Sequence, residues 1–262
     1  SAPKTFNPAL PPTVKADPDA FITPLKDEAA PFENKPGTMD GWSIRGIGPV
    51  DYRQWLLNKH YAKRVPQVQH AFGLFDSSLN LQGVCTFGSP CRAMNNGEAI
   101  FGGSYHVNTL ELNRLCINEV LPKNALSWFV GKCLGALPKP CCVVSYADAS
   151  KGHHGYIYQA TNWIYTGLMS IHDREVFLDG VEVHPRTACS MGFTSMQEWA
   201  KADPRVTLGE YTKRHRYFQF IGDRRDVLAM RRHLVYPVLP YPKGDNERYD
   251  ASFSPITQGN LF

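Results

Sequence analysis

Cys141-Cys142-Val143-Val144-Ser145-Tyr146-Ala147-Asp148, followed by Gly152-His153-His154-Gly155-Tyr156-Ile157-Tyr158-Gln159-Ala160, is the stretch on which the reading of this chain turns. An apolar strand, Cys141 to Tyr146, ends in a carboxylate. A Gly-His-His-Gly loop follows, then a short helix-like segment carrying Tyr156 and Tyr158. Acid, imidazoles and phenols therefore gather at a strand's C-terminal end, where open α/β sheets place their chemistry.

Just upstream, Pro122-Lys123-Asn124 precedes a helix expected over Ala125 to Leu137, with Asn124 as its N-cap. Thr109 to Ile117 reads as a strand, with Leu110, Leu112 and Arg114 on one face and Glu111, Asn113 and Leu115 on the other. Upstream, Trp42 to Ile47 is a strand, Pro49 opens a helix through His60, and His70 to Phe75 and Gln82 to Phe87 alternate as two strands. Downstream come a strand at Trp163 to Thr166, a hairpin over Ser170 to Val183 turning at Asp179-Gly180, and a helix Met196 to Ala202 capped by Ser195. A strand Tyr217 to Ile221 and a helix Arg224 to His233 close the pattern. Such an order gives an α/β fold with a single mixed sheet flanked by helices.

Residues 1–40 hold eight prolines and no period, which suits an extended arm. The globular core is expected over 41–204, with a basic α/β extension, 205–262, packed on it. That last segment carries ten Lys/Arg against six Asp/Glu, which accounts for the whole chain's net charge of +4. The charge is densest at Lys213-Arg214-His215-Arg216, then Arg224-Arg225 and Arg231-Arg232. A localised basic surface suits a polyanion; a solvated helix face is the plainer reading. The seven cysteines form no CxxC pair and mostly sit in apolar runs, so buried reduced thiols are expected rather than a zinc site. No apolar run is long enough to span a bilayer, and no basic segment leads an apolar one at the start.

The strand-helix-strand order around 109–146 resembles the GNAT acyltransferase fold, although Pro122-Lys123-Asn124-Ala125-Leu126-Ser127 lacks the glycine-rich pyrophosphate signature. A narrower resemblance is to the phage Mom family. It is carried by His60-Tyr61, Leu112-Asn113-Arg114-Leu115, Ser145-Tyr146-Ala147-Asp148, Gly152-His153, Gly155-Tyr156-Ile157-Tyr158-Gln159-Ala160, His184-Pro185-Arg186 and Lys213-Arg214-His215-Arg216-Tyr217. It runs from about residue 41 to 232. The resemblance implies a transferase that adds a methylcarbamoyl (acetamido-sized) group to adenine N6 in phage DNA, an anti-restriction function exercised in the cytoplasm of the infected bacterial host. It implies double-stranded DNA as partner and no membrane, and leaves room for a homodimer.

Residue roles follow from that resemblance, three of them beside a plainer reading. Asp148 is a general base or metal ligand, or else a capping carboxylate. His60, Tyr61 and Asp148 are a hypothetical iron-binding set, or His60 is a helix C-terminal cation. Arg114 grips a phosphate or carboxyl group of the donor, or forms a structural ion pair with Glu111 or Asp148. Tyr158 acts as an acid or stacks on a flipped base, and His153 polarises the donor carbonyl. Asn124, Ala125 and Leu126 receive acetyl-CoA or another acyl donor through backbone amides. Lys213, Arg214 and Arg216 contact DNA phosphates. Two other functions fit parts of the pattern: an acetyl-CoA-dependent N-acetyltransferase on a protein or small-molecule amine, and a non-catalytic DNA-coating protein.

Overall fold

A computed structural model describes residues 39–60, 62–118, 121–183 and 187–244. The expected arm, Tyr61, and His184-Pro185-Arg186 lie outside the described residues. Local chemistry explains most elements. β1 (Ser43–Gly46) is followed by α1 (Pro49–Asn58), which Pro49 opens and whose Asp51 carboxylate accepts the Gly48 amide. β2 (His70–Phe75) and β3 (Leu81–Gly88) join at a turn in which Asp76 accepts from the amides of Ser78 and Asn80. A 3-10 turn over Arg92–Gly97 leads into the one-turn helix α2 (Glu98–Phe101). β4 (Asn108–Ile117), α3 (Ala125–Gly135) and β5 (Cys141–Asp148) form a crossover, and α4 (Tyr156–Ala160) follows. β6 (Ile164–Leu178) and β7 (Val181–Val183) make a hairpin across Asp179 and Gly180, both at positive φ. Then come α5 (Thr187–Ser190), α6 (Met196–Ala202), whose first turn Ser195 caps, β8 (Val206–Ile221) and α7 (Arg224–His233).

The strands form one sheet in the order β1-β2-β3-β4-β5-β8-β6-β7. Neighbours are antiparallel except β4 and β5, which are parallel and so need the α3 crossover. Their pairing stops after Asn108–Glu111 meets Cys141–Val144, yet β4 runs on to Ile117 and β5 to Asp148. The two strands therefore part, and a gap opens in the middle of the sheet.

Each face of the sheet has its own core. One packs Leu110, Leu112, Cys141 and Val143 against Phe129, Val130 and Leu134 of α3 and Tyr158 of α4. On the opposite face, Val84 and Cys116 meet Trp55 and Leu56 of α1, while Cys142, Val144, Phe218 and Phe220 meet α2 and Met230 of α7.

Three expectations are corrected. The register slips between Thr86 and Phe87, so that Asn113 is an extra residue in β4. This bulge reverses the alternation: Leu115 joins the α3 core, and Arg114, opposite Thr86, turns to the α1 face rather than staying with Leu110 and Leu112. Second, the strands expected at Trp163–Thr166 and Tyr217–Ile221 are the ends of much longer β6 and β8. Third, β8 lies between β5 and β6, so residues 206–221 are the interior of the sheet and not a layer added to it. Residues beyond α7 wrap the β6 edge: the Val235 amide reaches Ile100, the Leu239 amide reaches the Tyr165 carbonyl, and Tyr241 donates to the Trp163 carbonyl. Pro237, Pro240 and Pro242 deny this strap the donors that would let another strand continue the sheet.

Candidate active site at the gap between the fourth and fifth strands

The Leu112 carbonyl lies just past the last β4–β5 pair and has lost its strand partner. Ser145 replaces it: the buried hydroxyl donates to Leu112 O at 2.8 Å and shares a 2.7 Å hydrogen bond with the Tyr158 phenol. The Tyr158 oxygen is thus fixed at the apex of the gap. Its ring packs 5.0 Å from Trp163 and 5.1 Å from Tyr217. Tyr217 in turn packs on Tyr165, whose hydroxyl bonds His215 Nδ1 at 2.8 Å. Gly155, at φ +74°, permits this packing: a Cβ there would lie 2.5 Å from the Tyr217 ring. Tyr217 also donates to the His154 carbonyl, to which Gln159 donates as well. Burial raises the pKa of the Tyr217 phenol above its usual value. Ser145, Tyr165, Tyr217, His215 and His154 were not expected in the site. A serine inside the apolar strand Cys141 to Tyr146 was the one visible signal, because a buried hydroxyl needs partners.

On the opposite face of the sheet, His60, Arg114 and His153 come together. His60 is buried, and its pKa falls to about 3, chiefly through burial and then through its nearness to Arg114 and His153. Its Nδ1 accepts the Ala62 amide at 3.1 Å. The ring is therefore a neutral imidazole with its proton on Nε2, and not a helix C-terminal cation. Arg114 donates to the Asn113 carbonyl at 2.6 Å. The adjacent histidines divide between the two faces, since His154 lies 5.5 Å from the His215 ring, centroid to centroid.

Strand alternation sets Asp148, opposite Arg214, on the same face as Tyr146 and Arg216, and not with Ser145 and Tyr158. The Asp148 carboxylate accepts from the Ser150 amide at 3.1 Å and from the Ser150 hydroxyl. It is the cap of the 3-10 turn at Ala149–Lys151. Of the expected iron-binding set, only His60 and Asp148 fall within the described residues. Tyr61 lies outside the described residues, and among the described residues no three His, Cys, Asp or Glu side chains gather. The Arg114 guanidinium beside His60 also opposes a second cation there.

Asn124 does occupy the N-cap position of α3, in the left-handed region at φ 68°, but its side chain makes no cap bond. The Ala125 amide is taken by the Pro122 carbonyl at 3.0 Å, which removes it from the set expected to receive the donor. Lys213 is exposed and Arg214 half-buried. Arg216 is corrected: it is only 8% exposed, donates to Thr166 Oγ1 at 2.9 Å, and lies 3.5 Å from the Tyr236 ring centroid. It holds the core together and is not presented to a phosphate.

An open mixed sheet whose parallel fourth and fifth strands part, with α3 crossing between them, is a GNAT-like fold. Within that architecture, the Mom protein family matches residues 42–243, and this chain belongs to it. It is 26% identical over 214 residues to the methylcarbamoylase mom of Escherichia phage Mu, covering 79% of this chain and 82% of that protein. Distant structural likenesses include Arabidopsis thaliana NAA60 solved with acetyl-CoA, at 10% identity and TM-score 0.44, over 69% of this chain and 98% of that one. Spermidine/spermine N-acetyltransferase SpeG from Vibrio cholerae matches at 9% identity and TM-score 0.39, over 68% and 92%.

Proposed function

We propose that this protein modifies adenine in double-stranded DNA, attaching a methylcarbamoyl group to the exocyclic N6. The observation that carries the reading is the Mom family relation across residues 42–243. Adenine N6 is a weak nucleophile, because its lone pair is delocalised into the ring. In a duplex it is also paired, so the base must be extruded to react. The donor carries the methylcarbamoyl carbonyl on a leaving group. An acetyl group alone has no nitrogen, so an acetyl transfer does not yield this product. The N6–carbonyl bond forms as the bond to the leaving group breaks.

The gap supports a division of labour between its two sides. Tyr158, held by Ser145, protonates the leaving group. The neutral His60 Nε2–H and the Arg114 guanidinium offer positive potential to the carbonyl oxygen as it gains charge. His153, beside them, takes the N6 proton. Asp148 acts through its turn, which fixes the loop carrying His153: the His153 amide donates to the Asp148 carbonyl at 3.1 Å. Lys213 and Arg214 lie midway along β8, beside the Asp148 end of β5, where DNA strands flanking an extruded base would run.

Nucleosides from plasmid DNA co-expressed with this chain test the reading by mass spectrometry. Deoxyadenosine carrying the added mass is expected with the native chain and absent with Tyr158→Phe. Unmodified deoxyadenosine with the native chain, well expressed and folded, overturns it.

A further inference from the structure

We infer that the exposed arginine face of α7 is a DNA-backbone contact, with Arg224, Arg225, Arg231 and Arg232 each meeting phosphates. The inference deepens the proposed function and rests on the reading that the chain acts on DNA. α7 packs inward through Val227 and Met230 against Phe218, Phe220 and Ile164, while the four arginines face solvent. Among the described residues, none of the four is in an ion pair or a side-chain hydrogen bond. The spacing is regular: each pair recurs seven residues on, two helical turns, or about 10 Å along the axis. That span corresponds to about three nucleotide steps along one strand of a duplex.

Helix stability explains only half of this pattern. Arg231 and Arg232 in the last turn complement the negative end of the helix dipole. Arg224 and Arg225 in the first turn oppose it, at the end that favours anions. The neighbouring carboxylates do not account for them either. Asp223 and Asp226 are occupied in a reciprocal capping box, each accepting the other's amide at 2.9 Å. A cationic pair that weakens its own helix end, without an internal partner, is what an external anion would require. The face also lies on the correct side: α7 covers the sheet face that carries Asp148 and Arg214. Its last turn leads directly to Tyr236, which stacks on Arg216 and Phe218.

The test measures the affinity of the full chain for a short fluorescent duplex across a salt series. The native chain is compared with Arg224→Gln/Arg225→Gln, Arg231→Gln/Arg232→Gln, and the fourfold variant. Each arginine removed is expected to lower the slope of log affinity against log salt by about 0.9, so the fourfold variant loses about 3 to 4 units. Lys201→Gln, an exposed cation on α6, is expected to leave the slope unchanged. An unchanged slope in the fourfold variant, with a native melting curve, overturns the inference. So does an equal fall with Lys201→Gln, or a loss of heparin binding with duplex binding intact. The two readings fail separately. Adenine modification by the native chain with an unchanged α7 slope sinks the interface alone. A reduced slope with no adenine modification by the native chain sinks the enzyme alone.

Discussion

At the scale of single residues, the site depends on hydroxyls and imidazoles whose states burial has fixed. Tyr158→Phe removes one hydroxyl and leaves the ring packing on Trp163 and Tyr217 intact. It is expected to cost about 1 kcal/mol of stability, the net value of a hydrogen bond. Adenine modification should fall about 10²- to 10⁴-fold, the range for a lost general acid; single-turnover assays with nucleoside mass spectrometry measure it. A fall below tenfold would remove Tyr158 from the chemistry. Arg216 shows the opposite behaviour. In the sequence it reads as one of a cluster of DNA-facing cations, but it stacks on Tyr236 and donates to Thr166. Arg216→Met is expected to reduce stability by about 1–3 kcal/mol, because Thr166 and Tyr236 lose their partner. The salt slope of DNA binding should not move. Urea denaturation and a salt titration of the same variant separate the two effects.

At the scale of elements, the bulge in β4 decides which groups face one another. Thr86 donates to Asn113 Oδ1 at 2.6 Å, and Asn113 donates to the Gln67 carbonyl at 3.0 Å, so the extra residue is held from both sides. The chain passes so close here that Gly88 has no space for a side chain: a Cβ would sit 2.0 Å from the Gln67 oxygen. Gly88→Ala is expected to destabilise by about 1–3 kcal/mol, as overpacking does. Because it displaces the bulge that aims Arg114, it should also lower adenine modification at temperatures where the protein remains folded. Thermal melting together with activity below the transition checks both parts. Elements set by neighbours in sequence were legible in advance. Ser195 caps α6 by accepting the Glu198 amide, Asp179 and Gly180 turn the β6–β7 hairpin, and α7 begins and ends where its caps and charges place it. The bulge was not legible, because its cause is a register with β3 that no local pattern carries. The full lengths of β6 and β8 were missed for the same reason: they are stabilised by pairing with each other across intervening helices.

At the scale of the whole molecule, burial links stability to pH. His60 has its pKa lowered to about 3 in the folded state and returns to about 6.5 on unfolding. The unfolded chain therefore binds the extra proton. The contribution of His60 is complete above about pH 6.5 and is lost as pH falls towards 3, at up to about 1.4 kcal/mol per pH unit. Urea unfolding between pH 7 and 4 should show this loss, and His60→Phe should flatten it; an equal slope in both chains would refute the assignment. Composition and local order were sufficient for an α/β sheet flanked by helices, a basic C-terminal fifth, reduced cysteines and a strand ending beside histidines and tyrosines. They were sufficient because propensity, capping and turn geometry act over a few residues. Only the tertiary structure decided that β8 enters the middle of the sheet, that Ser145 holds Tyr158 at the gap, and that His153 and His154 serve opposite faces. Those facts depend on which distant strands pair and where the pairing stops, and the free energy that selects the pairing comes from burying both faces at once.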